Sequence, residues 1–305
     1  MAEASPLRRM TRLVRERAPH GLVMWLRSWL DRWGRMTAGW RLQPSFVIVG
    51  AQRAGTTTLY RVLSEHPAVV RPTVSKGIGY FDVHYARGPR WYRGHFPLAW
   101  PARRKHGPDA TTFESSGYYL YHPLAAARIA KDLPGVRVVV MVREPVERAY
   151  SAHRHELARG YETEEFEAAI DLEDERIAGE AERMIADPTY RSFHHRHHSY
   201  LARSRYSEQI DRFIDELGRD RVYVVDADVF FADPVDEFER LRSWLGLPPW
   251  QPGKVEQWNA RPRLPMSAEL RERLDRYFEP YDARLAEQMG RAPSWRRSDG
   301  SAAQD

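Results

Sequence analysis

A glycine-rich segment, Gly50 to Leu59, has the residue types of an anion-binding loop. It follows an apolar run and precedes a helical pattern, so its backbone N–H groups and the helix dipole would face an anion. The glycine spacing, ending at Gly55, matches the Walker motif, but Thr56 replaces the Walker lysine and the cation is Arg53. This departure argues against an ATPase, GTPase or kinase, and an ordinary strand-to-helix turn stays open as the alternative.

A second polar segment runs from Arg143 to Ser151, again directly after an apolar run. Pro145 is suited to the first turn of a helix. Arg143 would reach a phosphate from the strand end, and the Ser151 hydroxyl would donate to the same anion. This segment strengthens the case for anion binding. On the same helix, His153 and His155 are expected at the surface.

Alternating strands and helices must position both segments. Apolar runs at 45–49, 136–142 and 221–225 are typical of strands buried on both faces of a parallel sheet. Helical patterns follow the first two runs and precede the third. The sequence therefore predicts an α/β fold, a P-loop-like parallel β-sheet flanked by helices on both faces, which binds ligands at the carboxyl ends of its strands.

Composition and charge exclude several classes of protein. The 305 residues include no cysteine, which rules out a disulfide scaffold, a cysteine-ligated zinc site and a thiol nucleophile. The formal charge is +5, but residues 1–45 hold nine arginines and three acids, net +6, which leaves −1 for residues 46–305. Because the basic excess is confined to this leader, a nucleic-acid partner is not expected.

The leader, residues 1–44, is predicted to contain a basic amphipathic helix. Its apolar run at 21–30 is interrupted by Arg27 and is shorter than the roughly 20 residues that span a bilayer. It also lacks the cleavage site of a secretory signal. Apolar residues recur there at helical spacing among arginines: Trp25, Leu26, Trp29, Leu30 and Trp33. Such a helix either docks on the domain or lies on an anionic membrane surface.

The two anion-binding segments together resemble the sulfotransferase family, in particular its heparan-sulfate branch. The resemblance covers residues 45–290, which we take as one sulfotransferase domain, followed by a tail at 291–305 predicted to be disordered. Further matching segments occur in order along the chain: Lys76 to Asp82, Gly88 to Tyr92, Phe96 with Pro97, Glu114 with Tyr118 to Leu120, Tyr206 with Gln209, Asp233 with Pro234, and Phe238 to Leu247.

The resemblance implies transfer of a sulfuryl group from 3′-phosphoadenylyl sulfate (PAPS), with adenosine 3′,5′-bisphosphate (PAP) as the product. The first loop would hold the 5′-phosphosulfate, and Arg143 and Ser151 the 3′-phosphate. Arg53 replaces the usual family lysine; it neutralises charge but is a poor proton donor. The full set of residues implied to bind the nucleotide is Arg53, Ala54, Gly55, Thr56, Thr57, Thr58, Arg143, Ser151, Tyr206, Arg261 and Arg263.

The sequence departs from the heparan-type pattern beside Lys76. The family has a carboxylate as general base directly after this lysine and a histidine two residues beyond it, where this chain has Gly77 and Gly79. The family lysine that follows the residue matching Glu114 is serine here. An acceptor hydroxyl still needs a proton acceptor. Our hypothesis names Glu114 first, then Asp82 and His84, with a carboxylate that pairs an arginine as the alternative for Glu114.

Three further expectations concern ligands, function and location. His194 and His198 lie at metal-ligand spacing without a third ligand, so we expect no metal and treat residues 194–198 as a polar wall near the acceptor. The acceptor is a glycan or other small molecule, and alternatives to a sulfotransferase are a P-loop kinase or NTPase and a non-catalytic nucleotide-binding protein. The arginine-rich composition is typical of a GC-rich bacterial genome. For a bacterial protein the expected location is the cytoplasm or the inner face of its membrane.

Overall fold

Five strands form one parallel sheet in the computed structural model of this chain, which describes residues 20–73, 76–253 and 266–297. The strands are β1 (Pro44–Gly50), β2 (Val69–Val70), β3 (Thr111–Ser115), β4 (Arg137–Val142) and β5 (Val222–Asp226). Their order is β2-β3-β1-β4-β5, and all pairings are parallel. The predicted α/β fold is confirmed, and all carboxyl ends meet at one edge of the sheet.

Helices connect the strands and pack against the sheet. They are α1 (His20–Met36), α2 (Thr56–Leu63), α3 (Pro89–Arg93), α4 (Ala99–His106), α5 (Ala125–Asp132), α6 (Pro145–Leu157), α7 (Phe166–Asp171), α8 (Glu173–Ile177), α9 (Glu180–Ala186), α10 (Phe193–His197), α11 (Tyr206–Leu217), α12 (Ala227–Ala232), α13 (Pro234–Leu245) and α14 (Ala268–Met289). None of the helices in the described ranges is long and apolar enough to cross a membrane.

Two apolar cores hold these elements in place. The larger one surrounds the inner strands β1 and β4, whose valines have no exposed surface because neighbouring strands and helices cover them. The smaller one joins α6 to α7 and α14 through Val146, Phe166 and Phe278. Because α6 belongs to the second core and follows β4 of the first, the orientation of the segment from Arg143 to Ser151 is fixed from both sides.

Helix α1 docks on the domain through its C-terminal half. Gly34 and Gly94 pack backbone to backbone, since a Cβ on Gly34 would lie 3.1 Å from the Gly94 carbonyl oxygen. Asp31 accepts hydrogen bonds from the Trp91 indole at 3.3 Å and from Arg87 at 3.2 Å. The leader helix is therefore present from residue 20 and docked on one side.

The C-terminal tail is ordered over the part of it that the structure describes, and the prediction of disorder from residue 291 is wrong there. Residues 294–296 form a short 3₁₀ helix. The Ser294 N–H donates to the buried Asp226 at 2.8 Å, and Trp295 and Arg296 donate to the buried Asp282 at 2.9 and 2.7 Å. Two buried carboxylates need these donors, and composition alone does not reveal that need.

Candidate functional site

The first anion-binding segment forms a tight loop between β1 and α2. Arg53 has a φ of 73°, a left-handed conformation that is unfavourable for a residue with a side chain and is characteristic of functional loops. Gly55, with a φ of 101°, precedes the first turn of α2, and a Cβ there would lie 3.0 Å from the Phe231 ring. The loop therefore closes against α12 and against β4, whose Met141 lies 3.2 Å from the same Cβ position, and the N-terminal N–H groups of α2 point toward the sheet edge.

The second segment lies beside this loop, and a direct hydrogen bond joins the two. The Arg53 Nε donates to the Ser151 Oγ at 3.1 Å, although the residues are 98 positions apart. Arg143, at the end of β4, is partly exposed and lies 3.6 Å from Glu147. The structure thus brings together the cation of the first segment and the hydroxyl of the second.

Tyr206 supports this arrangement through a hydrogen bond to the backbone of Arg143. Its side chain is buried, and its hydroxyl donates to the Arg143 carbonyl oxygen at 2.9 Å. Burial raises the pKa of Tyr206 well above its ordinary value, so the phenol stays a donor. This contact makes Tyr206 a residue that positions Arg143. Arg261 and Arg263, the other sequence-based candidates, lie outside the described residues.

Lys76 brings a second cation to the loop. Its Nζ donates to the Thr57 Oγ1 at 3.1 Å and lies 5.5 Å from the centre of the Tyr60 ring. Burial, together with the charge of Arg61, lowers the pKa of Lys76 to about 8. An amine with this pKa can bind an anion as ammonium and can also release a proton near neutral pH.

A polar cleft of about 400 Å³ opens next to the loop. It is lined by Gln52 of the loop, by six residues of the segment 77–84, by residues 115–118 at the end of β3 and directly after it, and by Glu156 of α6 and His197 of α10. We call this the polar cleft. Three arginines also line it, Arg159, Arg196 and Arg203, and Arg203 donates a hydrogen bond to the side-chain oxygen of Gln52. The loop and the polar cleft therefore form one continuous site.

Glu114 lies beneath the polar cleft, and its geometry corrects the hypothesis that it is the general base. The residue has no exposed surface. One carboxylate oxygen accepts hydrogen bonds from the Ile78 N–H at 2.9 Å, the Ser116 hydroxyl at 3.0 Å and the Tyr119 hydroxyl at 2.6 Å. Burial raises the pKa of Glu114, and these donors partly offset the rise. A carboxylate without exposed surface does not face the cleft, and its hydrogen bond from the Ile78 N–H makes Glu114 a residue that fixes the loop at 77–84.

Asp82 and His84 do line the polar cleft. The Asp82 carboxylate accepts a hydrogen bond from the Val83 N–H, and burial raises its pKa. His84 contacts the edge of the Trp91 ring, and burial together with the Arg87 charge lowers its pKa. Both side chains thus line the cleft that adjoins the loop.

Sequence reasoning missed part of the lining of the polar cleft. Glu156 was not singled out, although it falls five residues after Ser151 on the same helix. The histidine-rich run was predicted to be a polar wall, and of it only Arg196 and His197 line the polar cleft. His153 is buried against Phe166, so its predicted surface position is wrong. The described residues contain no group of three or more His, Asp or Glu that could hold a metal.

The family model described as "Sulfotransferase domain" matches residues 43–260. The chain belongs to this family. The predicted resemblance is confirmed, and the matched range contains the loop, the segment from Arg143 to Ser151 and the polar cleft. This sulfotransferase-family chain also has relatives in the branch that the sequence motifs indicated.

Two relatives and one solved structure illustrate the similarity. The chain is 27% identical over 218 residues to heparan sulfate glucosamine 3-O-sulfotransferase 5 of Mus musculus, covering 71% of this chain and 56% of that protein. It is 28% identical over 210 residues to bifunctional heparan sulfate N-deacetylase/N-sulfotransferase 1 of Caenorhabditis elegans, covering 67% of this chain and 22% of that protein. The chain thus spans about half or less of the length of these relatives.

A sulfotransferase from Alicyclobacillus acidocaldarius has a similar crystal structure. The TM-score is 0.62 at 27% sequence identity, and the match covers 84% of this chain and 99% of that one. The similarity therefore extends over nearly the whole described domain and supports the same α/β architecture.

Proposed function

We propose that this chain is a PAPS-dependent sulfotransferase that transfers a sulfuryl group to a hydroxyl of a carbohydrate or glycolipid. The observation that carries the proposal is the hydrogen bond between Arg53 and Ser151, which joins the two anion-binding segments at one sheet edge. A donor with phosphate groups at both the 5′ and 3′ positions of its ribose needs two such segments side by side. The family membership and the heparan-sulfate relatives support the same conclusion.

The residues of the donor site suit PAPS through their cations and through the N-terminus of α2. The first-turn residues Thr56, Thr57 and Thr58 would bind the 5′-phosphosulfate with N–H groups and hydroxyls, while Ala54 and Gly55 shape the turn. Arg143 and Ser151 would bind the 3′-phosphate, and Tyr206 holds Arg143 in place. We keep Arg261 and Arg263 as proposed nucleotide contacts.

The chemistry requires positioning and positive charge more than covalent help. PAPS supplies an already activated sulfuryl group, and transfer through a loose transition state resembles phosphoryl transfer. Arg53 stabilises the negative charge that develops on the bridging oxygen. Lys76, with a pKa of about 8, is the residue that can deliver a proton to that oxygen.

The polar cleft would hold the acceptor. Asp82 and His84 are proposed to contact its hydroxyl groups, because both line the cleft beside the donor loop. The printed names of the relatives concern heparan sulfate. For this chain we propose a sugar hydroxyl as the acceptor. The alternative function as a kinase has no support from these relatives.

The proposal is tested by following sulfate transfer from ³⁵S-labelled PAPS. The full chain is incubated with heparosan, N-sulfated heparosan, a glycolipid and a simple phenol, and labelled product and PAP are measured. Stoichiometric product and PAP are expected with at least one acceptor, and Arg53→Ala should lower the rate by about 10²-fold or more.

Arg154→Ala is the matched control, because Arg154 is an exposed arginine of α6 that does not line the polar cleft. It should keep the wild-type rate. Absence of both PAP and labelled product, with hydrolysis of ATP instead, would favour the nucleoside-triphosphatase alternative.

We further propose that α1 contacts an anionic membrane surface, which would place the enzyme at the inner face of the cytoplasmic membrane. Trp25 and Trp29 are 61% and 52% exposed on the helix, and Trp29 stacks on Trp33. A largely apolar cavity of about 530 Å³, separate from the polar cleft, opens beside Leu30 and Trp33. Exposed tryptophans in an arginine-rich leader suit the interface of an anionic bilayer.

A further inference from the structure

The polar cleft has no side chain at the position next to Lys76. A Cβ on Gly77 would lie 3.0 Å from both the Ser115 carbonyl oxygen and the Ser116 Oγ. A side chain there would have to shift the Ser115 carbonyl oxygen at the end of β3 by a few tenths of an ångström. Because Glu114 is fully buried, neither position 77 nor position 114 supplies a base at the surface of the cleft.

Another part of the cleft lining carries a histidine held by a carboxylate. The His197 Nδ1 lies 2.9 Å from the Glu156 Oε2, and both side chains line the polar cleft. Burial alone would raise the pKa of Glu156, but the hydrogen bond and charge of His197 and the charge of Arg203 outweigh it and hold the pKa below its usual value. Glu156 is therefore a carboxylate at neutral pH.

An ionised Glu156 fixes the tautomer of the His197 imidazole ring. A carboxylate can only accept, so the Nδ1 of His197 carries a proton, and in the uncharged form of the ring the Nε2 is an acceptor. The ring is also held by aromatic neighbours, with ring centres 4.3 Å away at Tyr161 and 4.7 Å away at Phe193. A base oriented by a third group in this way is the general arrangement for activating a hydroxyl.

We propose that His197, positioned by Glu156, is the general base that takes the proton of the acceptor hydroxyl. The acceptor O–H bond breaks and its proton moves to the His197 Nε2. The acceptor oxygen forms a bond to sulfur, the bond between sulfur and the bridging oxygen breaks, and its electron pair leaves with the phosphate of PAP. This inference rests on the proposed sulfotransferase function.

Several charged groups surround His197 and bear on the pH dependence. Arginines on three elements make the polar cleft electropositive, while one carboxylate faces it from the loop at 77–84. The groups are Asp82 and His84 on that loop, Glu156 and Arg159 on or directly after α6, His194, Arg196 and His198 on or next to α10, and Arg203. Because Glu156 makes the direct contact, its loss is expected to affect His197 more than the loss of any other group.

The test compares variants of the full chain for PAP formation from PAPS, with N-sulfated heparosan and with water as acceptor. His197→Ala should lower kcat by about 10² to 10⁴-fold and leave PAP affinity unchanged. Added imidazole should restore part of the rate, and the acid limb of the pH profile of kcat/KM should disappear. Glu156→Gln should lower kcat by about tenfold or more, because the ring loses its preferred tautomer.

His194→Ala is the matched control, since His194 is an exposed histidine of the same helix that does not line the polar cleft. It should retain the wild-type rate, and its pH profile should change far less than that of Glu156→Gln. A wild-type rate in His197→Ala would overturn the assignment of His197 as the base. So would a loss of rate that imidazole does not rescue, if Asp82→Asn also abolishes the acid limb of the pH profile. Either result would leave the proposed sulfotransferase activity standing. A wild type that forms no PAP contradicts both proposals.

Discussion

Arg53 and Lys76 are two cations at the same loop with different chemical capacities. A guanidinium stays protonated throughout the physiological range, so Arg53 stabilises negative charge without giving up a proton. Burial and Arg61 bring the pKa of Lys76 down to about 8, where ammonium and free amine coexist near neutral pH. We therefore assign charge stabilisation to Arg53 and proton delivery to Lys76.

The titration of Lys76 can be measured directly. Competitive acetylation read by mass spectrometry should give half-maximal reactivity of this amine near pH 8. Saturation with PAP should move that midpoint upward, because added phosphate charge stabilises the ammonium form. A midpoint near the ordinary lysine value of about 10.4 would contradict this assignment.

Glu114 separates a structural from a catalytic role at a single residue. In Glu114→Gln an NH₂ group replaces one carboxylate oxygen of a fully buried side chain whose Oε1 accepts three hydrogen bonds. We expect a loss of about 1 to 3 kcal/mol in the free energy of unfolding, measured by urea denaturation. A normally stable variant that had lost about 10² to 10⁴-fold in turnover would restore Glu114 as the base.

Among the elements, the tail from 291 to 297 supplies hydrogen-bond donors to two helices, α12 and α14. Asp226 caps the N-terminus of α12 and Asp282 lies within α14, and both carboxylates take donors from residues 294–296. Truncation after Gly290 would leave these buried groups short of partners. A lower melting temperature is expected, corresponding to a few kcal/mol, with truncation after Arg297 as the control. Equal melting temperatures would show that these contacts do not stabilise the domain.

Helix α1 is the element for which a membrane test is decisive. Trp25→Ala with Trp29→Ala should weaken co-sedimentation with vesicles containing anionic phosphatidylserine by about tenfold or more, because both rings are exposed. Vesicles of phosphatidylcholine alone should bind the wild type weakly. Wild-type binding that is absent from both vesicle types, or unchanged in the double variant, would instead leave the helix as a docked element only.

Element prediction from the sequence succeeded where the signal was local. The runs at 45–49, 136–142 and 221–225 became β1, β4 and β5 within one residue at each end, because strands buried on both faces are continuously apolar. Strand β3 was missed, since Thr111–Ser115 contains only one strongly apolar residue. Its neighbours in the sheet define it as a strand, and this information is not local.

Over the whole molecule, the positive net charge is concentrated in the N-terminal residues. The leader carries net +6 over residues 1–45, and residues 46–305 carry −1. The proposed anion binding in the domain therefore depends on a few placed cations and not on a basic surface. The donor loop was predictable because its residues are consecutive. The pair of Glu156 and His197 was not, because these residues are 41 positions apart and meet only when α6 and α10 pack.

We propose that the two anion-binding segments together form one site for a 3′-phosphorylated nucleotide. Isothermal titration calorimetry of the full chain with PAP and with ATP tests it most directly, with Arg143→Ala as the site variant and Arg154→Ala as its control. We predict that PAP binds at least about tenfold more tightly than ATP and that Arg143→Ala weakens PAP by about 2 to 5 kcal/mol. ATP binding as tight as that of PAP, or PAP binding unchanged in Arg143→Ala, would contradict the account.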